Sequence, residues 1–168
     1  MRRPDLSLQR MWCYNGVIMD LRSLRIVIDT NVLFEGLTQK NRASSLIVEA
    51  WLAGELRGAV CEALALEYVD VLSRKLSPQR WQMIQPLLRA LLERAQFVPI
   101  YYTWRPSSPD PADDHVVDCV LNASALLITW NTADFRRASQ ASHLNMLTPP
   151  EFVAWWSAME TISPEKAT

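Results

Sequence analysis

Arg25-Ile26-Val27-Ile28-Asp29-Thr30-Asn31 is the stretch on which the fold turns. A short β-branched run that ends abruptly in three polar residues reads as a buried parallel strand with its functional end at the carboxyl side. Downstream, residues 32–42 form a mixed stretch around Gly36, and Ala43 to Ala53 carry Leu46, Ile47, Ala50 and Trp51 on one helical face before Gly54 stops it. Leu56 to Cys61 is a second strand. Glu62 to Leu76 is a helix with Leu64, Leu66, Val69, Val71 and Leu72 at helical spacings. Ser77-Pro78 opens the best helix of the chain, with a hydroxyl cap and proline at its first position.

Phe97-Val98-Pro99-Ile100 is a short strand that Pro99 confines to an edge or makes irregular, and the prolines of 105–113 mark a loop. A helix runs from Asp113 to about Ser124, followed by the strand Leu126 to Thr129 and a small helical or irregular piece at Asp134-Phe135. Leu144 to Leu147 gives a last short strand, and Thr148-Pro149-Pro150-Glu151-Phe152 opens a final helix through Trp155 and Trp156. Strands alternating with helices predict a parallel sheet covered on both faces, which gathers the strand carboxyl ends at one edge where ligands bind.

The 168 residues, 49% hydrophobic and 21% charged, suit one domain with a proper core. We expect that domain over 24–157, an N-terminal extension over 1–23 and a tail over 158–168. The extension carries Arg2, Arg3 and Pro4, and either it is a loosely attached arm or translation starts at Met11 or Met19. A formal charge of −1 argues against a basic nucleic-acid-binding module, so affinity for a polyanion has to come from local Lys and Arg or from bound cations. The three cysteines form no CxxC pair, which fits a reducing cytosol and neither a disulfide scaffold nor a zinc site. No apolar run approaches the roughly 20 residues of a membrane span, and residues 1–20 lack a signal-peptide core, so a cytoplasmic location is expected.

Three acidic positions recur after predicted strands: Asp29, Glu67, and Asp113 with Asp114. Carboxylates held within a few ångströms of one another repel, and persist together only if a cation neutralises them or some stay protonated. Oxygen-only ligands favour Mg²⁺ or Mn²⁺ over zinc. Such ions polarise a phosphodiester, activate water and stabilise the leaving oxygen, which is nuclease chemistry without a protein nucleophile. The chain has no GxxxxGK[ST], GxGxxG or GxSxG motif, and its two histidines, His115 and His143, are too few for a His-rich metal centre.

Ile26 to Leu33, Leu66-Glu67-Tyr68 with Val71-Leu72, Asp110-Pro111-Ala112-Asp113-Asp114 and Leu127 to Phe135 resemble the successive motifs of the PIN domain, over roughly residues 24–157. The likeness is closest to the branch of toxin components of bacterial type II toxin–antitoxin systems. It implies a three-layer α/β/α sandwich with a central parallel sheet, and a Mg²⁺- or Mn²⁺-dependent endoribonuclease. Asp29, Glu67 and Asp113 match the first three acids, which hold metal, and Asn31 and Thr129 match the polar residues that support them. The family's usual fourth acid is replaced by Asn131, with Asp134 three residues on as the catalytic candidate. An RNA substrate, an antitoxin protein and a homodimer follow from the same likeness, and no membrane partner does.

Other readings attach to the same residues. A strand-end Asp is often only a cap or turn former, and Glu67 outside its motif reads as a solvated helix position. Asp113 and Asp114 compete as ligand and N-cap, with Asp113 favoured as the ligand. Asp118 and His115 read as exposed. Lys40, Arg42, Arg74, Lys75, Arg136 and Arg137 are candidates for an RNA path, with Arg42 and Arg136 singled out and Trp130 as a base-stacking candidate. The main rival is a catalytically silent PIN module that binds RNA or a protein partner, for which Asn131 argues. Aspartyl-phosphate phosphatase chemistry ranks below both, because Asp29-Thr30-Asn31 lacks the DxD pair.

Overall fold

The computed structural model describes residues 11–14, 17–20, 24–103 and 114–162. The strand that opens the reading is β3 (Arg25–Ile28), and its last three residues are fully buried. Successive residues of a strand point to opposite faces, so complete burial of Ile26, Val27 and Ile28 means that both faces of the sheet are covered. Around it lie β4 (Arg57–Val60), β5 (Gln96–Phe97), β6 (Leu126–Ile128) and β7 (Met146–Leu147), in the spatial order β5-β4-β3-β6-β7 with every pairing parallel. The result is the expected three-layer α/β/α sandwich. Ahead of it, β1 (Met11–Tyr14) and β2 (Val17–Asp20) pair antiparallel as a separate two-stranded sheet.

Among the described residues seven helices accompany the strands: α1 (Thr30–Leu37), α2 (Arg42–Ala53), α3 (Glu62–Lys75), α4 (Pro78–Arg94), α5 (Asp114–Ala123), α6 (Thr132–Ser142) and α7 (Pro149–Ile162). Their starts follow local chemistry. Asn41 Oδ1 accepts the N–H groups of Ala43 and Ser44 at the head of α2, and Ser77 with Pro78 opens α4. Glu151 reaches back to the N–H and hydroxyl of Thr148 at 2.8 and 2.7 Å to cap α7. Gly54 ends α2 in the left-handed region at φ 81°, where a side chain would be strained. Gly58 in β4 has a different reason: a Cβ there would stand 2.0 Å from the indole of Trp51, which packs against the strand from α2.

Several elements differ from expectation. The mixed stretch after Asn31 is mostly helix α1, with Val32, Leu33 and Leu37 buried. The piece at Asp134-Phe135 is an eleven-residue helix, α6, that buries only Phe135 and Ala138. The edge strand before Pro99 is shorter than read, although Val98 N–H still donates to Val60 O at 2.8 Å. On α3 the buried face is Leu64, Tyr68, Val71 and Leu72, while Leu66 and Val69 are exposed. Cys61 and Cys119 are buried free thiols.

Candidate active site

The register of the central strands builds the first half of the site. β3 and β6 pair with Ile28 opposite Ile128, and Asp29 N–H extends the ladder to Ile128 O at 2.9 Å. Asp29 and Thr129, the next residues of the two strands, therefore emerge side by side at the carboxyl edge of the sheet. Thr129 Oγ1 donates to Asp29 Oδ2 at 2.8 Å in a buried contact, and the same hydroxyl accepts the N–H of Asn131 at 3.0 Å. Asn131 Nδ2 then donates to the carboxylate of Asp134 in the first turn of α6. A continuous chain of hydrogen bonds thus runs from Asp29 through Thr129 and Asn131 to Asp134.

The second half comes from α3. Thr30, the first residue of α1, donates its hydroxyl to Glu67 Oε1 at 2.6 Å, and His115 Nε2 at the start of α5 pairs with Glu67 Oε2. The phenol of Tyr68, fully buried, donates to the carbonyl of Ile28. Since Tyr68 follows Glu67 and Ile28 precedes Asp29, that one hydrogen bond ties together the two chain segments that carry the acids.

Electrostatics differ between the two carboxyls. Burial raises Asp29 above the ordinary aspartate value, helped by the negative charge of Glu67 and opposed by the hydrogen bond from Thr129. The N–H groups of Thr30 and Asn31 also favour its ionised form, although neither makes a cap hydrogen bond to it. Burial acts upward on Glu67 too, but hydrogen bonds from His115 and Thr30 and the charges of His115 and Lys75 outweigh it and hold Glu67 below the ordinary value. Tyr68 is pushed well up by burial and stays a phenol.

Asp113 lies outside the described residues, as does the proline loop before it. Its neighbour Asp114 begins α5 and is buried. Two readings are corrected here. His115 is a half-buried partner of Glu67 rather than a freely solvated residue, and Asp118 is 4% exposed and not a solvated helix position. Asn31 is exposed in the first turn of α1, and Trp130 is 36% exposed beside Thr129. Arg42 and Arg136 are exposed on α2 and α6, with no described contact to the acids. A cleft of about 670 Å³ includes His115 and Asp118 in its wall but neither Asp29 nor Glu67, so it flanks the acid pair.

The sequence matches the profile of the PIN domain over residues 25–133. The chain belongs to the PIN domain family. Three solved structures share its fold. VapBC2 from Rickettsia felis, bound to a DNA fragment from their promoter, is 14% identical with a TM-score of 0.55, covering 74% of this chain and 98% of that one. FitAB bound to an IR36 DNA fragment is 17% identical at TM-score 0.51, covering 74% and 94%. VapBC-1 from nontypeable Haemophilus influenzae is 13% identical at 0.50, covering 76% and 99%. No curated protein matches the sequence.

The donors of this PIN domain suit a hard divalent cation, because the converging groups are carboxylate oxygens with hydroxyl support. A buried carboxyl whose ionisation is disfavoured, as at Asp29, is one that a bound cation would relieve. Among the described residues, no group of three or more His, Cys, Asp or Glu is arranged to hold a metal ion. The described part supplies two acids, Asp29 and Glu67.

Proposed function

We propose that this PIN domain is a Mg²⁺- or Mn²⁺-dependent endoribonuclease acting as the toxin of a toxin–antitoxin pair. PIN domains are nuclease-type hydrolases that generally depend on divalent metal. The observation that carries the reading is the meeting of Asp29 and Glu67, far apart in sequence, at the carboxyl edge of the sheet, joined through Thr30. The fold likeness to VapBC and FitAB complexes supports a protein antitoxin as partner and, with no helix among the described residues long and apolar enough to cross a membrane, a cytoplasmic site of action.

Asp29, Glu67 and Asp113 would hold the ion, with Asp134 linked through Asn131 and Thr129. When bound, the metal supplies Lewis-acid activation of water and of the phosphodiester for in-line displacement. The protein's own groups set the geometry. Thr129 fixes the rotamer of Asp29, Thr30 and His115 hold Glu67 ionised and oriented, and Tyr68 keeps α3 against the end of β3. Asn131 at the usual fourth acid favours a second reading, a silent module that binds RNA or protein, but its amide delivers a neighbouring acid, Asp134, to the same network.

Thermal denaturation with Mn²⁺ separates the two readings. A site that binds only the native state gains about 2.7 kcal/mol at 100 times Kd, so the nuclease reading expects a rise in Tm with Mn²⁺ together with chelator-sensitive RNA cleavage. A flat Tm and no cleavage would leave the silent module.

A further inference from the structure

We propose that Lys40 and Lys75, gathered on the ring of Phe34, form a clamp for the phosphate backbone of RNA a short distance from the acid pair; the proposal rests on the ribonuclease reading above. Lys40 Nζ stands 4.8 Å and Lys75 Nζ 5.5 Å from the centroid of Phe34, both within cation–π range. The two ammonium groups come from different elements, one beyond the end of α1 and the other from the last residue of α3. Each position near a helix carboxyl end favours a cation. That preference does not require the two to converge on one ring.

Among the described residues neither ammonium forms an ion pair. Asp70 pairs with Arg74 at 3.3 Å, and Glu67, which feels the charge of Lys75, makes its contacts with Thr30 and His115. In a chain of net charge −1, this is a local concentration of positive charge with no ion-pair partner among the described residues. Its location gives it a use. α1 and α3 pack against each other and run from the acids toward the lysines, with Phe34 one turn beyond Thr30 and Lys75 about 12 Å along the helix from Glu67. The charge of Lys75 is felt at Glu67. A polyanion whose scissile phosphate sits at the acids would lay a neighbouring phosphate, within a few nucleotides, between the two lysines, and the Phe34 ring holds both side chains ready for it.

The test measures binding of a fluorescein-labelled single-stranded RNA to the full chain, in chelator so that nothing is cut, across a KCl series, and KM for cleavage in Mg²⁺. Lys40→Gln/Lys75→Gln should reduce the slope of log K against log salt by about 1.4, two phosphate contacts at about 0.7 each, and weaken binding about tenfold near 0.1 M salt. KM should rise with it, and Lys40→Arg/Lys75→Arg should restore the slope. A Gln variant with wild-type slope and KM, in a protein that does bind and cut RNA, would overturn the clamp and leave the ribonuclease reading standing. A wild-type protein that neither binds nor cuts RNA overturns both. A Gln variant that keeps RNA binding but loses affinity for poly-L-glutamate would assign the lysines to an acidic protein partner, against the proposal.

Discussion

Asp29 is placed where its charge costs the protein stability. Its folded pKa lies above the ordinary value of 3.8, so the native state holds the proton to higher pH than the unfolded chain does. The penalty is therefore absent well below that value, grows as pH rises through the window between the two, and is full at neutral pH. Glu67 has the opposite sign: lowered in the fold, it contributes stability above its ordinary 4.5 that is lost as pH falls. Metal-free Asp29→Asn should accordingly melt higher than wild type at pH 7, with roughly 2–4 °C for each kcal/mol relieved in a domain of this size, and the difference should shrink toward pH 3.5. Calorimetry across pH checks it; an Asn variant that melts lower at pH 7 would mean that Asp29 is a structural cap. Tyr68→Phe removes one of the two hydrogen bonds that join the acid-bearing segments and should cost about 1 kcal/mol while lowering kcat, measured by denaturant titration beside a cleavage assay. Of these residues, Asp29 and Glu67 were legible from their motifs, whereas His115 was not. Nothing near it in sequence signals a partner, because that partner lies on a helix distant along the chain.

At the scale of elements, the strands declared themselves through β-branched runs, since residues buried on both faces leave no polar alternation to confuse the reading. Helix α1 hid because it is short, starts with Thr30-Asn31 and contains Gly36, whose missing side chain is used for close packing: a Cβ there would stand 2.7 Å from Ser44 O and 2.5 Å from Val48. Helix α6 hid because so little of it is buried. Asp118 was misread because charge alone suggests solvent, while its neighbours Val117 and Cys119 are buried with it. The packing of α2 on β4 makes its own prediction. Gly58→Ala drives a methyl into the rigid Trp51 indole and should destabilise by about 1–3 kcal/mol, the usual range for overpacking, with a matching drop in the denaturation midpoint. A neutral effect would mean that the indole is free to move.

For the whole molecule, a parallel sheet does what separate motifs cannot: it turns sequence distance into proximity at one edge, where in-register strands set Asp29 against Thr129 and α3 delivers Glu67. In an almost neutral chain, the proposed contact with a polyanion rests on local features, an acid pair suited to a cation and a lysine pair with no ion-pair partner among the described residues. The central claim is that the Asp29 centre hydrolyses RNA. Single-turnover cleavage of a single-stranded RNA at fixed Mg²⁺, by wild type and by Asp29→Asn shown to be folded, tests it most directly. Changes to groups that merely support a metal ligand cost about 10–100-fold, so the account predicts cleavage by wild type that chelator removes and a loss beyond that range in the variant. Cleavage by Asp29→Asn at the wild-type rate would contradict it.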